Sequence, residues 1–312
     1  MTRLASSNQL PFVKEAWING QPAMIDCVDI SGQVYTVSGG PLRVVRLEDE
    51  WYADVHDPGA VLDYFRAHNM LKPDIFTFWQ RLPDIVSAHA FYREDDHIAA
   101  VPITTYEEWF NNSIKSRVRT SLRKADKDGL VVKRVPFDDA FVHGMTKLFN
   151  EEPLRQGMPF WHFGKDVDTV RRQFSRFLHR ETMIAAYYRD EMVGFVMLGN
   201  AGSFGLTGQI LSSIKHRDRS TNVALIAKAV EVCEQLGLKH LVYFHWTDNS
   251  LTEFKRRCGF EKTAVPRYYV PLTIKGQLAL KIGAHRRLKA MVPQAMRPTL
   301  KRMREAWYSF RA

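Results

Sequence analysis

Cysteine is scarce in this chain of 312 residues: there are three, Cys27, Cys233 and Cys258. An odd number at wide spacing supplies neither a disulfide framework nor a zinc-ligand pattern, and free thiols point to a reducing compartment. Long apolar runs are lacking too. No stretch reaches the roughly 20 residues that cross a bilayer, and Met1 to Val13 holds no apolar core of signal-peptide length. A cytoplasmic protein is therefore expected. The histidines show no paired ligand spacing, so no metal site is expected. Acids are missing from two places. From Lys275 to Ala312, ten Lys and Arg stand against Glu305 alone; from Lys115 to Arg134, eight stand against Asp126 and Asp128. The chain carries a net +10, so its basic character belongs to these two segments and the remainder is acidic on balance.

The length allows two domains with a sizeable core. The most ordered pattern runs from Met183 to Phe260. Met183–Tyr188 and Met192–Leu198 are apolar runs of strand length joined by the polar turn Arg189-Asp190-Glu191, which predicts a hairpin. Phe204–Leu211 is a third strand. After the polar loop from Lys215 to Asn222, Val223, Leu225, Ile226, Ala229, Val230, Cys233 and Leu236 recur at helical spacing, and Gly237 supplies a C-cap. Leu241–His245 reads as a short buried strand. Asn249-Ser250 then caps a helix over Leu251–Cys258 that stops at Gly259.

This order of elements resembles the acyl-transfer half of the GNAT N-acyltransferase superfamily. There a strand hands over to a helix whose N-terminus holds the donor's pyrophosphate, and free N–H groups with the helix dipole give the physical reason. The superfamily loop reads Gln/Arg-x-x-Gly-x-Gly/Ala; the matching residues here are Arg217, Ser220 and Asn222, so both glycines are absent. The segment from Asn249 through Phe254-Lys255-Arg256-Arg257-Cys258-Gly259-Phe260 also matches. Lys255 stands where many members carry a tyrosine acid. Phe254-Lys255 before Gly259-Phe260 is similar to the FemAB-type branch, whose members transfer amino acids from aminoacyl-tRNA to peptidoglycan precursors. The resemblance covers roughly residues 105 to 272. It implies an α/β fold, a GNAT-like mixed sheet flanked by helices, in two tandem halves. The boundaries expected are a degenerate half over 1–104, an acyltransferase half over 105–272 and a basic amphipathic tail over 273–312.

Elsewhere the pattern is plainer. Residues 1–15 read as loose and polar. Met24–Val28, Gln33–Val37 and Leu42–Leu47 read as strands, Pro58–Asn69 as a helix capped by Asp57, and Asp74–Trp79 and His97–Val101 as strands. Thr105–Asp128 reads as one long helix ended by Gly129, with Trp109, Ile114 and Val118 on its apolar face. Its cations, Lys115 to Lys127, are either a solvated flank or an anion-binding surface. Val131–Val135 is a strand; Asp138–Asn150 and Val167–Leu178 are helices. Between those helices, Glu151 to Lys165 is too irregular for either element. With Arg155, Phe160, Trp161, His162, Phe163 and Lys165, it is either an acceptor pocket or an aromatic plug over the core. Thr263–Pro271 is the last strand. The tail sets Leu278, Ile282, Leu288, Met291, Leu300, Trp307 and Phe310 among Lys and Arg, which suits a membrane surface or an anionic partner.

Acyl transfer to an amine needs a deprotonated amine, a polarised carbonyl and a route for the leaving group's proton. His162, Glu151 and Glu152 are candidate bases, Lys255 is a candidate for stabilising negative charge, and Tyr268 and Tyr269 are alternative acids. The resemblance places a donor on Arg217, Arg219, Ser220, Thr221, Asn222 and Asn249, and the backbone of Gly208–Leu211 at its acyl carbonyl. An acceptor would meet Arg155, Trp161 and Lys165. The first expectation is an N-acyltransferase that uses acyl-CoA, such as acetyl-CoA, on a small or lipid-linked amine, for example an amino sugar or cell-envelope precursor. The alternatives are transfer from aminoacyl-tRNA, for which the basic segments suit tRNA, and a binding module that kept the fold without the chemistry. The tail would add a peripheral membrane contact.

Overall fold

The computed structural model describes residues 10–18, 21–68, 70–155, 157–247 and 250–286. Along the chain, strands β1 (Phe12–Ile18), β2 (Gln21–Ile30), β3 (Gln33–Ser38) and β4 (Val44–Leu47) precede α1 (Pro58–Ala67), β5 (Ile75–Trp79) and β6 (Tyr92–Pro102). Next come α2 (Tyr106–Glu108), a π-helical turn (Trp109–Ser113), α3 (Ser116–Lys127), β7 (Val131–Val135) and α4 (Asp139–Phe149). Two short strands, β8 (Leu154–Arg155) and β9 (Met158–Pro159), lead to α5 (Val167–Phe174), β10 (Glu181–Tyr188), β11 (Glu191–Asn200) and β12 (Gly205–Ser212). The chain ends its described course with α6 (Thr221–Gln235), β13 (His240–His245), α7 (Ser250–Arg257), β14 (Glu261–Pro271) and α8 (Ile274–Lys281). The described residues up to Asp95, with those from Pro266 onward, pack as one unit; Asp96–Val265 pack as the other.

In the first unit the strand order is β1-β2-β3-β4-β5-β14, antiparallel throughout except for the β4–β5 pair. Val28, Tyr35, Val45, Phe76, Phe78 and Tyr268 meet Val61 and Leu62 of α1 in its core. The Asp57 carboxylate accepts from the Ala60 N–H at 3.1 Å and caps α1. Residues 12–15, expected to be loose, belong to the edge strand β1, in register with β2 from Phe12↔Cys27 to Ile18↔Gln21. Backbone pairing holds this strand, and Val13 on it is exposed, so apolar periodicity carries little trace of it. Helix α8 docks through small residues. Thr273 caps it by accepting from the Gly276 N–H at 3.0 Å and donates to Asp74 at 2.9 Å; Lys275 pairs with the same carboxylate at 2.9 Å. A Cβ on Gly276 would collide with the Asp74 carbonyl.

In the second unit the order is β6-β13-β12-β11-β10-β7, with β12–β13 parallel and the other pairs antiparallel. The β10–β11 hairpin turns on Arg189 and Asp190, both in the left-handed region (φ 48° and 66°), as a tight two-residue turn requires. Alternation along β10 divides the core. Ile184 and Ala186 enter the cluster under α6, with Leu225, Ile226, Ala229, Val230 and Cys233. Met183 and Ala185 enter the opposite cluster, with Phe141, Met145 and Phe149 of α4.

The helix expected over 105–128 is broken. Ile114 and Lys115 are extended (ψ 151° at each) between the π-helical turn and α3. The Arg119 guanidinium donates to the carbonyls of Phe110, Asn111 and Ile114 at 3.2, 3.0 and 2.8 Å, so the carbonyls freed by the break are satisfied. The Lys115 N–H donates to the Arg257 carbonyl at 3.2 Å, and Gly259 presses against Ser113. These are contacts across the sequence, and local periodicity does not register them.

Replacing Gly276 by alanine is expected to destabilise the first unit by about 2 kcal/mol, because the new methyl group must displace Asp74 backbone. Urea unfolding followed by tryptophan fluorescence checks this; equal midpoints for Gly276→Ala and the parent would refute the docking account.

Candidate active site

Strand β12 pairs with β13 only at Gly205↔Leu241 and Leu206↔Val242. Just beyond, the Thr207 hydroxyl donates to the Val242 carbonyl at 3.2 Å, and the two parallel strands then part. Each strand has an irregularity at the parting. In β12, the register with β11 slips so that Gly208 is left unpaired between Thr207 and Gln209. In β13, the register with β6 slips between Val242 and His245, with Phe244 in the left-handed region at φ 46°. Burial follows the same line: β12 is buried from Gly205 to Thr207 and only half-buried from Gly208 to Ser212.

Lys255 projects from α7 onto the part of β13 that has left its neighbour. Its ammonium donates to the Tyr243 carbonyl at 2.7 Å and the His245 carbonyl at 2.9 Å, and lies 4.5 Å from the Tyr243 ring centroid. The residue is 2% exposed and has no carboxylate partner among the described residues. Burial accordingly pulls its pKa down to about 8. An ammonium with two hydrogens held by carbonyls and no counter-charge is a preformed partner for a negative charge arriving at the parted strands.

On the β12 side, Glu151 builds a clamp. Its carboxylate accepts from the Ser213 hydroxyl at 2.6 Å, the Ile214 N–H at 2.7 Å and the Lys215 N–H at 3.1 Å. Arg155 closes the clamp, pairing with Glu151 at 3.3 Å and donating to the Ser212 and Leu148 carbonyls at 3.1 and 3.0 Å. Burial raises the Glu151 pKa, but the donors from Ser213, Ile214 and Lys215 outweigh it and the net shift is downward. The clamped segment feeds a turn of 3₁₀ helix, Arg217–Arg219, and then α6. Ser220, the residue before α6, is left-handed (φ 58°, ψ 27°), caps nothing with its side chain, and no acid occupies the first helical turn. The superfamily pattern has glycine here. Serine adopts the same conformation at a steric cost, because the clamp and the helix fix both ends of the turn. The Thr221 hydroxyl is buried without a partner among the described residues. The open N-terminus of α6, flanked by the exposed Arg217, is thus suited to an anion.

Glu151 and Arg155 hold the segment Ser212–Lys215 at the end of β12, which leads along the chain to Arg217, Arg219, Ser220, Thr221 and Asn222. His162 stacks on Phe149 at 4.6 Å beside Phe160 and Phe174. Burial, with Lys165 beside it, lowers its pKa to about 4, so it is neutral at pH 7. Lys165 donates to Gln173 at 2.5 Å, and the two residues belong to an aromatic plug on α4 and α5. Trp161 is exposed. Tyr268 lies in the other unit, where its hydroxyl meets Gln80, Ser87 and the Ala88 N–H at 2.9–3.0 Å. Asn249 is outside the described residues. Two further residues shape the site. Tyr188 carries the Arg219 guanidinium 3.5 Å above its ring. At Gly194 a Cβ would stand 2.6 Å from the Thr221 methyl group, so its absence lets α6 begin where it does; a glycine inside the apolar run Met192–Leu198 was the available signal. Among the described residues, no group of His, Cys, Asp and Glu is placed to hold a metal ion, and no helix is long and apolar enough to cross a membrane.

No family model and no curated protein matches the chain. Solved structures do. The C-terminal domain of a putative lysylphosphatidylglycerol synthetase from Agrobacterium fabrum is similar with a TM-score of 0.56 at 14% identity, covering 82% of this chain and 87% of that one. FemX gives 0.52 at 12% identity, over 87% and 90% of the two chains. L-PGS from Bacillus licheniformis gives 0.52 at 13%, over 79% and 83%. What these structures share with the chain is the fold: GNAT-like, FemAB-like in type, with mixed sheet flanked by helices.

Glu151→Ala is expected to cost about 3 kcal/mol, since it strands a buried guanidinium and two N–H groups. With the folded-state pKa below the ordinary 4.5, the charge of Glu151 contributes stability above that value and loses it as pH falls through the lowered pKa. The gap in unfolding free energy between the parent and Glu151→Gln should therefore be constant from pH 7 to about 5 and close on acidification. A gap unchanged down to pH 3 would contradict the clamp.

Proposed function

We propose that this protein transfers an acyl group to an amine, with the acyl carbonyl in the opening between β12 and β13. The observation that carries this reading is Lys255, a buried ammonium without a counter-ion at that opening. The amine nitrogen attacks the carbonyl carbon, a C–N bond forms, and the carbonyl electrons move onto oxygen. Lys255 stabilises that oxyanion. Collapse breaks the bond from carbon to the donor oxygen or sulfur, and the proton given up by the amine ends on the leaving group. The Glu151 clamp positions the turn that carries the donor's phosphate; its carboxylate is fully engaged there and serves as an anchor.

The donor favoured is an aminoacyl-tRNA. Helix α3 packs beside the Arg217–Arg219 turn, and Lys115 just before it, with Arg117 and Lys127 on it, have no carboxylate partner among the described residues. A cationic face next to the donor site suits a polyanion. The solved structures it resembles include proteins named for lysylphosphatidylglycerol synthesis, which supports an aminoacyl group and a lipid-linked or cell-envelope acceptor. Acyl-CoA is the second reading, favoured by the open N-terminus of α6, which suits a pyrophosphate.

Lys255→Ala is expected to lower turnover about 10²–10³-fold while leaving donor binding in place. Because the lysine pKa is depressed to about 8, the ammonium is lost as pH rises through that value, so turnover by the parent should fall above pH 8. The first experiment measures thermal midpoints with charged tRNA, uncharged tRNA and acetyl-CoA, followed by transfer of a labelled acyl group from whichever stabilises. A Lys255→Ala variant within twofold of the parent, or no response to any donor, would sink the proposal; stabilisation by acetyl-CoA alone would select the second reading.

A further inference from the structure

Helix α8 is built the wrong way round for a helix that only closes a core. Its buried residues are Gly276 and Ala279, the two smallest side chains it has. Leu280 is half-buried, and the other large aliphatic residues face outward: Ile274 is 87% exposed, Leu278 57% and Ile282, just past its end, 64%. These positions are spaced i, i+4, i+8, so they form one stripe along the helix. Lys275 and Lys281 border the stripe on either side; Lys275 pairs with Asp74, as Arg286 beyond the helix pairs with Glu94, and Lys281 has no carboxylate partner among the described residues. The arrangement is held firmly. Thr273, Lys275 and the Asp74 carboxylate fasten the start of α8. At the other end, Glu94 accepts from the Tyr92 hydroxyl at 2.9 Å, from the buried His285 at 3.0 Å and from Arg286 at 2.8 Å.

We infer that α8 is the element by which this protein rests on an anionic lipid surface, its Ile274–Leu278–Ile282 stripe among the acyl chains and Lys281, which has no carboxylate partner among the described residues, at the headgroups. Charge decides the occupant. From Lys275 on, Glu305 is the one acid in the sequence against ten Lys and Arg. A second copy of the chain would bring the same excess of cations to the stripe. An anionic bilayer neutralises that charge and receives the aliphatic stripe together. A nucleic acid would answer the charge but offers nothing to three aliphatic side chains.

The three native cysteines are fully buried, so the full-length Leu278→Cys variant accepts an environment-sensitive dye at one place. The dye emission is expected to shift to the blue with vesicles of phosphatidylcholine and phosphatidylglycerol and to stay unchanged with phosphatidylcholine alone. Sedimentation with the anionic vesicles should weaken about tenfold or more in the Ile274→Ser, Leu278→Ser, Ile282→Ser variant, and less in Lys281→Glu. Val86→Ser, an exposed apolar residue of the same unit, should bind as the parent does. Thermal unfolding matching the parent certifies that the serine variant is folded; Leu278→Ser alone replaces it otherwise. Absence of binding by the parent, binding without a dye shift, undiminished binding by the serine variants, or a blue shift produced by protein concentration or bulk tRNA without lipid would each overturn the inference.

Discussion

Two parallel strands that cease to pair leave backbone amides and carbonyls which must find other partners, and the second unit is arranged around that requirement. At the start of the parting the Thr207 hydroxyl reaches the Val242 carbonyl. On the β13 side, Lys255 takes up the carbonyls of Tyr243 and His245. On the β12 side, Arg155 takes the Ser212 carbonyl, and Glu151 takes the amides that follow. Charged side chains from α7 and from the segment after α4 thus satisfy backbone groups of β13 and of the end of β12.

The two charges differ in kind. Glu151 is compensated by an arginine and three donors, which holds its carboxyl ionised and makes it an anchor. Lys255 has two carbonyls and the Tyr243 ring but no carboxylate, which leaves the ammonium under-neutralised, so burial lowers its pKa. A buried charge without a partner weakens a fold unless something that arrives later completes it. That contrast is the physical basis for assigning structure to the one and chemistry to the other.

The same contrast between closure and incompleteness separates the helices. Helix α6 buries a broad apolar face, with Leu225, Ile226, Ala229 and Val230 fully buried, and leaves Lys228, Glu231 and Glu234 on a partly exposed polar face. Helix α8 buries Gly276 and Ala279 against its unit, half-buries Leu280, and leaves Ile274 and Leu278 outside. Small residues allow close backbone approach and little apolar burial, so the hydrogen bonds around Asp74 and Glu94 secure the helix in place of a core.

Much of the fold is legible in the sequence because apolar periodicity reports burial directly. The hairpin around Arg189-Asp190, the helix ended by Gly237, the strand Leu241–His245 and the helix ended by Gly259 all lie close to where their residues predict. Lys255 is legible only through resemblance, as its neighbours Arg256 and Arg257 make it look like one cation of a surface helix. The break at Ile114 and Lys115, the strand at Phe12–Ile18, the Glu151 clamp and the support of Arg219 by Tyr188 are absent from any local pattern. Each depends on a partner dozens of residues away or more, or on backbone pairing that is indifferent to side chain. The sequence by itself determined which segments are helix or strand and which faces they bury, since propensity and period act over a few residues. Tertiary structure alone decided which charges are buried, which of those are compensated, and where the sheet opens, because desolvation and hydrogen bonding are set by what surrounds a side chain in space.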